Sequence, residues 1–511
     1  MSKIMKEKGL GPFMAKMLSI ALVITTFAGC EGSGAEQDTM SGTSTESSVT
    51  ESESTETSSA QDNTKESSPM VEEKKDIVEE LMNQMTLEEK VGQMMIASFR
   101  SWQELSSTEP NAGTTVENPE IVETPQIIYF TELSDTVREC IKKYHFGGTI
   151  LFAENIKDTE QTLRYVLDMQ STNQQGGGIP YFVAIDQEGG NVTRINYATM
   201  GVGNMALAAT GKPENAMKMA QIYGTELQAL GINVNYAPVL DINSDATNPV
   251  IGVRSFSDSP EVVQRFGVAY QEGLRSTGTI ATLKHFPGHG DTDTDSHTGF
   301  PCINKTYEEL KAFELVPFAA AIENGAEMIM TAHIQYPEIE KETYVSTSTG
   351  EEVYLPATMS QVILTDILRG ELGFEGVIVT DALEMAAIAD NFAMEDVLCK
   401  TISAGADMLM LPMVYDSLDF DALNECMDLA ISLVKEGKID EKRIDESVRR
   451  ILKLKEKYGL LEETDFSVTQ EKIDKAVETI GSKGSRDEAW DIAMQALTLV
   501  KNDGPLTSSR F

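Results

Sequence analysis

Eight short apolar runs recur along the chain: "MMIASF", "GGTILF", "YFVAID", "NVNYAPVLD", "IATLKHF", "EMIMTAHI", "GVIVTDAL" and "DMLMLP". Between them lie stretches of helical periodicity such as "ENAMKMAQIYGTELQALG" and "PEVVQRFGVAYQEGLRSTG". Strands that are apolar on both faces belong in a parallel sheet covered by helices. Eight strand–helix units predict a closed (β/α)8 barrel. An open doubly wound sheet shares the same alternation and also binds ligands at strand ends, so alternation alone leaves it open. Thr86 and Glu89 fit a capping box ahead of the first run.

In such barrels the chemistry sits at the C-terminal ends of the strands. Here the runs end in Asp186, Asp241, Lys284 with His285, His333 and Asp381, more charge than a purely structural barrel needs. The fifth run leads into "FPGHGDTDTDSHTGFP", and Lys284 to His297 hold three of the chain's five histidines. Three readings compete for this loop. Asp291, Asp293 and Asp295 alternate as in a calcium loop, but the glycine and distal glutamate of such a loop are not in place, so no metal is expected. A solvated polar turn accounts for the aspartates but not for Lys284 and His285. Acid–base chemistry accounts for both: Asp295 is close enough to orient His297, whose ring exchanges protons near neutral pH. Asp381, after the apolar "GVIVT", then supplies a nucleophile at the barrel mouth, or else a buried hydrogen-bond acceptor.

Composition limits the partners. In 511 residues, Lys+Arg 41 against Asp+Glu 81 gives a formal net charge of -40, which opposes nucleic-acid binding. Lys3, Lys6, Lys8 and Lys16 precede the apolar "MLSIALVITTFAGC", too short to span a bilayer comfortably but suited to export. Ala28 and Gly29 before Cys30 resemble a bacterial lipoprotein signal, although Phe27 replaces the usual leucine. Residues 1–29 are therefore expected to be a signal peptide, with Cys30 lipidated. Residues 30–73, dense in Ser, Thr and Glu, read as a disordered tether. The expected location is extracytoplasmic, anchored to the bacterial membrane through Cys30. Cys140, Cys302, Cys399 and Cys426 show no CxxC spacing and are expected to be buried or partly buried thiols.

"VAIDQEGG", "NPVIGVRSF", "KHFPGHGDTDTDSH" and "VIVTDALEM", in this order, resemble glycoside hydrolase family 3 and most of all its β-N-acetylglucosaminidase branch, over roughly Met85 to Leu461. The Asp-Ser-His loop is the discriminating element. The resemblance implies that Asp381 is the nucleophile and His297 the acid/base, with Asp295 as its partner. It also implies that Asp186, Arg194, Arg254, Lys284 and His285 hold the sugar beside the scissile bond. Asn191 departs from the arginine often found after "QEGG", with local consequences only. The implied activity is exo-acting removal of terminal β-GlcNAc from peptidoglycan fragments or chitin oligosaccharides, with retention, by a monomer that needs no cofactor. A neutral imidazole repels an anion less than a carboxylate does, so a phosphorylase using the same residues is the runner-up. A surface glycan-binding lipoprotein without catalysis is the third reading.

The barrel is expected to occupy 74–465. Residues 466–511 read as a linker and the start of an incomplete C-terminal α/β domain, in which "AMQALTLV" without its sheet would be an aggregation liability. His289 reads as a loop-shaping residue, His333 as a supporting one and His145 as a surface or helix-end residue. The 25 methionines read as helical core filler, and neither Trp102 nor Trp490 marks a sugar platform.

Overall fold

The computed structural model describes residues 76–107, 123–297, 299–410 and 421–498, with the backbone alone for 102–107, 123–126 and 421. The expected signal peptide, the tether, Cys30 and the last thirteen residues lie outside the described residues. Among the described residues no helix is long and apolar enough to cross a membrane.

Each of the eight runs contains a strand: β1 Met95–Ser98, β2 Gly148–Leu151, β3 Phe182–Ile185, β4 Val234–Asn235, β5 Ile280–Phe286, β6 Met328–Thr331, β7 Val377–Val379 and β8 Leu409–Met410. All neighbouring pairs are parallel and sequential. Ile96 of β1 stands opposite both Gly148 of β2 and Met410 of β8. A parallel bridge from Val379 to Met408 joins β7 to β8, so the sheet closes into a barrel and the open doubly wound alternative falls. Closure explains the unbroken apolar runs, because one face of every strand meets the barrel interior and the other meets a helix. Met82, Met169, Met219 and Met427 are buried on helices as expected, whereas Met95, Met328, Met330, Met408 and Met410 fill the core from on or beside the strands and Met200, Met205 and Met494 are exposed.

The capping box forms: Glu89 N–H donates to Thr86 Oγ1 at 3.2 Å and Thr86 N–H to Glu89 Oε2 at 2.8 Å. His145 caps the helix Asp135–Tyr144 in a left-handed conformation. Two antiparallel ribbons, Ser101–Ser107 with Glu123–Tyr129 and Thr343–Val345 with Glu352–Tyr354, follow the C-terminal ends of β1 and β6. Helices Gln470–Thr479 and Lys483–Gln495 bury Ile473, Ala476, Ala489 and Ile492 in the apolar clusters of the barrel. Gly481 N–H between them donates to the buried Glu226 Oε1 at 2.8 Å. Cys302 is exposed, contrary to expectation, because it lies outside the regular elements in the long segment after β5; Cys140 and Cys426 are buried.

Candidate active site

The five residues expected to hold a sugar, together with His297 and Asp381, line one cleft of about 570 Å³ at the C-terminal ends of the strands. Lys284 and His285 are consecutive, and in a regular strand they would face opposite sides. The β5–β6 register slips between Leu283 and Phe286, one extra residue on β5 opposing β6. This bulge re-aims the strand end, so both side chains reach the cleft.

The residues expected to hold a sugar form a charge network. Lys284 Nζ donates to Asp186 Oδ1 at 2.6 Å and pairs with Glu188 Oε1 at 2.7 Å. Arg254 grips Glu188 through Nη2 and Nε at 2.8 and 3.0 Å, and Arg194 Nη2 stands 3.5 Å from Asp186 Oδ2. Burial would raise the Glu188 carboxyl, but Arg254 and Lys284 outweigh it and hold it far below the ordinary carboxylate range. Glu188 is not among the charged strand ends that stand out in the sequence. Its signal was its place two residues after Asp186 on an extended chain, which puts both carboxylates on one side. Gln187 between them accepts the N–H groups of Arg194 and Ile195 on Oε1, folding the loop back so that Arg194 returns over Asp186. Gly189, at φ 90°, makes that turn where a Cβ would come within 2.5 Å of Tyr223 Oη.

Asp241 touches the cleft only through histidine. Its Oδ2 accepts His285 Nδ1–H at 2.7 Å, while Oδ1 accepts the backbone N–H groups of His285 and His289 at 3.1 and 2.7 Å. The outer nitrogen of His285 is thereby left for the cleft. Asp381 accepts its neighbour's N–H, from Ala382, at 2.8 Å. Burial acts to raise its carboxyl, but His285, His333, that N–H and Lys284 together hold it below the usual value, so it stands ionised. His333 Nε2–H donates to Ala382 O at 3.0 Å and its Nδ1 meets Thr358 Oγ1 at 2.8 Å. Burial lowers its pKa, against the opposing charge of Asp381. His333 thus supports the turn that carries Asp381 from behind.

His297 Nδ1 and its backbone N–H both meet Asp295 Oδ1, at 2.9 and 2.8 Å. Partial burial works against the Asp295 carboxylate, but these contacts hold its pKa down. The His297 side chain is 62% exposed, so the Asp295–His297 pair approaches the cleft from the solvent side. Ser296, beside it, is anchored twice: its carbonyl accepts Ala387 N–H at 3.2 Å, and its hydroxyl meets His289 Nε2 at 3.1 Å. His289 is therefore a loop-shaping residue, kept neutral because burial and His285 lower its pKa to about 4. The three aspartates of the loop do not converge. Asp291 takes Ser244 and Lys305 at 2.8 and 2.9 Å, Asp293 takes Thr294 at 3.0 Å, and Asp295 takes His297. Glu384, three residues after Asp381, also lines the cleft and was not singled out from sequence.

The arrangement sets an ionised carboxylate in one cleft with a carboxylate-oriented imidazole, beside fixed cations and anions that suit the hydroxyls of a single sugar ring. The family model described as the glycosyl hydrolase family 3 N-terminal domain matches residues 86–454. A curated relative, β-hexosaminidase A of Pseudoalteromonas piscicida, is 42% identical over 384 residues, 74% of this chain and 63% of its own length. The structure of a glycoside hydrolase family 3 β-N-acetylglucosaminidase from Paenibacillus sp. str. FPU-7 aligns with a TM-score of 0.69 and 35% identity, over 83% of this chain and 71% of that one. The β-glucoside phosphorylase BglX aligns with a TM-score of 0.67 and 26% identity, over 84% of this chain and 68% of that one.

Proposed function

The chain belongs to glycoside hydrolase family 3, and from that premise we propose that it is an exo-acting, retaining β-N-acetylhexosaminidase. One observation carries the reading: Asp381 and His297, whose ring Asp295 holds from outside the lining, face the same cleft. In the first step an Asp381 oxygen bonds the anomeric carbon. His297 Nε2 delivers its proton to the departing oxygen, and the Nδ1–H bond to Asp295 steadies the ring. In the second step water attacks the same carbon, its proton passes to Nε2, and Asp381 regains its carboxylate. Lys284, Arg254 and Arg194 supply charge-assisted hydrogen bonds, held in place by Asp186 and Glu188, that strengthen as the oxocarbenium-like transition state develops. Terminal β-GlcNAc on peptidoglycan fragments is the substrate this reading favours, at a membrane surface reached through Cys30.

Likeness to BglX favours a second reading, in which phosphate takes the place of water. Both are tested with an aryl β-N-acetylglucosaminide, with and without phosphate, beside Asp381→Asn. Aryl release that falls by at least about a thousandfold in the variant supports the nucleophile. Free sugar or sugar phosphate as product chooses between the acceptors. A folded protein that releases no aryl group overturns both readings.

A further inference from the structure

Glu384 stands at the turn between β7 and the short helix Ala386–Ala389, and its side chain lines the cleft that holds Asp381 and His297. No ion pair among the described residues engages its carboxyl. The charges it faces are Asp381 on its own turn, Arg100 after β1 and His297 on the loop after β5. Asp390 and Glu154 share the cleft rim. Arg100 is already committed: it grips Glu154 at 2.5 and 3.2 Å and lies 4.6 Å over the Phe152 ring. Although Glu384 is exposed as a residue, the protein around its carboxyl and the charge of Asp381 push its pKa up to about 7. Its own backbone N–H, Arg100 and His297 pull the other way.

The covalent step changes this balance. Once Asp381 is esterified to the sugar it carries no charge, and the largest electrostatic influence raising Glu384 disappears. Glu384 therefore ionises more fully at the stage when the acceptor enters from the His297 side. We infer that Glu384 selects the acceptor: its carboxylate repels anions from the covalent glycosyl-enzyme and leaves that intermediate to water. The inference rests on the hydrolase reading above and names the residue that enforces it.

For water, the bond from the anomeric carbon to Asp381 breaks, a bond to the water oxygen forms, and the proton goes to His297. For azide, the same bond breaks and a carbon–nitrogen bond forms with no proton to place, so charge alone sets its entry. The full chain is given an aryl β-N-acetylglucosaminide with azide, phosphate or methanol, and the products are partitioned against free sugar. Glu384→Gln is expected to raise the glycosyl azide and glycosyl phosphate shares about tenfold, the effect of removing one nearby, partly screened charge. The methyl glycoside share, formed from a neutral acceptor, stays constant, and Glu384→Asp partitions like the unaltered protein. An unchanged azide share in Glu384→Gln overturns the inference, as does a parallel rise of azide and methanol, which would mean an opened cleft. An unaltered protein that cleaves no aryl glycoside overturns the hydrolase reading itself, and this inference with it.

Discussion

Asp241 has no place on the cleft wall, yet it accepts three hydrogen bonds from the segment that carries His285 and His289. Asp241→Asn keeps the volume but offers an amide N–H where the carboxylate accepted one, so the His285 ring must turn or change tautomer. The expected outcome is a fall in kcat/KM of about ten- to a hundredfold with the fold intact, read from steady-state kinetics beside circular dichroism. A variant that keeps full activity would remove Asp241 from the site's support. Asp241 was visible in the sequence as one more charged strand end, but its target was not. Which side chain a buried carboxylate orients depends on the approach of two neighbouring strand ends, a distance that no local pattern encodes. The same holds for Glu188, whose partners Arg254 and Lys284 come from the short helix Gly252–Arg254 and from β5. By contrast, Asp295 and His297 are two residues apart, and their contact could be read from spacing alone.

At the scale of elements, the loop after β5 works because glycine lets it press against β4's continuation. A Cβ on Gly290 would lie 1.6 Å from the carbonyl oxygen of Ile242, an atom of the backbone that has no rotamer by which to escape. Gly290→Ala is therefore expected to lower stability by about 1–3 kcal/mol in denaturant unfolding, and to cost more activity than stability because the displaced loop carries His297. Gly484, in the first turn of the helix Lys483–Gln495, meets nothing within 4 Å of its Cβ position, so Gly484→Ala should be neutral or stabilise by up to about 1 kcal/mol. The contrast separates a packed glycine from a permissive one. All eight strands were legible, because burial on both faces writes a continuous apolar run. The bulge at Lys284 and His285 was not, since register is a property of two strands rather than one. The two ribbons after β1 and β6 were also missed. They lie outside the β/α alternation and carry no continuous apolar run to announce them.

For the whole molecule, the barrel must close, and closure is thinnest where β7 meets β8. That seam rests on one bridge, Val379 to Met408, and on short backbone bonds around it. Asp407, fully buried at its edge, reinforces it. Its Oδ2 accepts Ile378 N–H of β7 at 2.9 Å and Arg369 at 2.5 Å, while Oδ1 takes Arg443 at 2.9 Å, Ser447 at 2.8 Å and Arg450 at 3.2 Å from the last barrel helix, Glu441–Lys457. One carboxylate thus binds strand, preceding helix and closing helix together. Its removal would strand three guanidinium groups, so Asp407→Ala is expected to cost about 3–5 kcal/mol in thermal or denaturant unfolding. The pH dependence follows from the sign of the shift. Burial would raise the carboxyl, but Arg369, Arg443 and Arg450 depress it below its unfolded value. Its contribution is therefore complete above the unfolded pKa of about 4 and fades as acid carries pH down through the folded value. Salt distinguishes this local bond from the global field. With a formal net charge of -40, the folded chain repels itself, and raising salt from about 0.05 to about 0.3 M should raise Tm in the unaltered protein by screening that repulsion. The same salt should leave the gap between Asp407→Ala and the unaltered protein nearly unchanged, because a fully buried pair is screened far less than surface charge. A gap that salt closes would place the stabilising role of Asp407 in the surface field rather than in the seam.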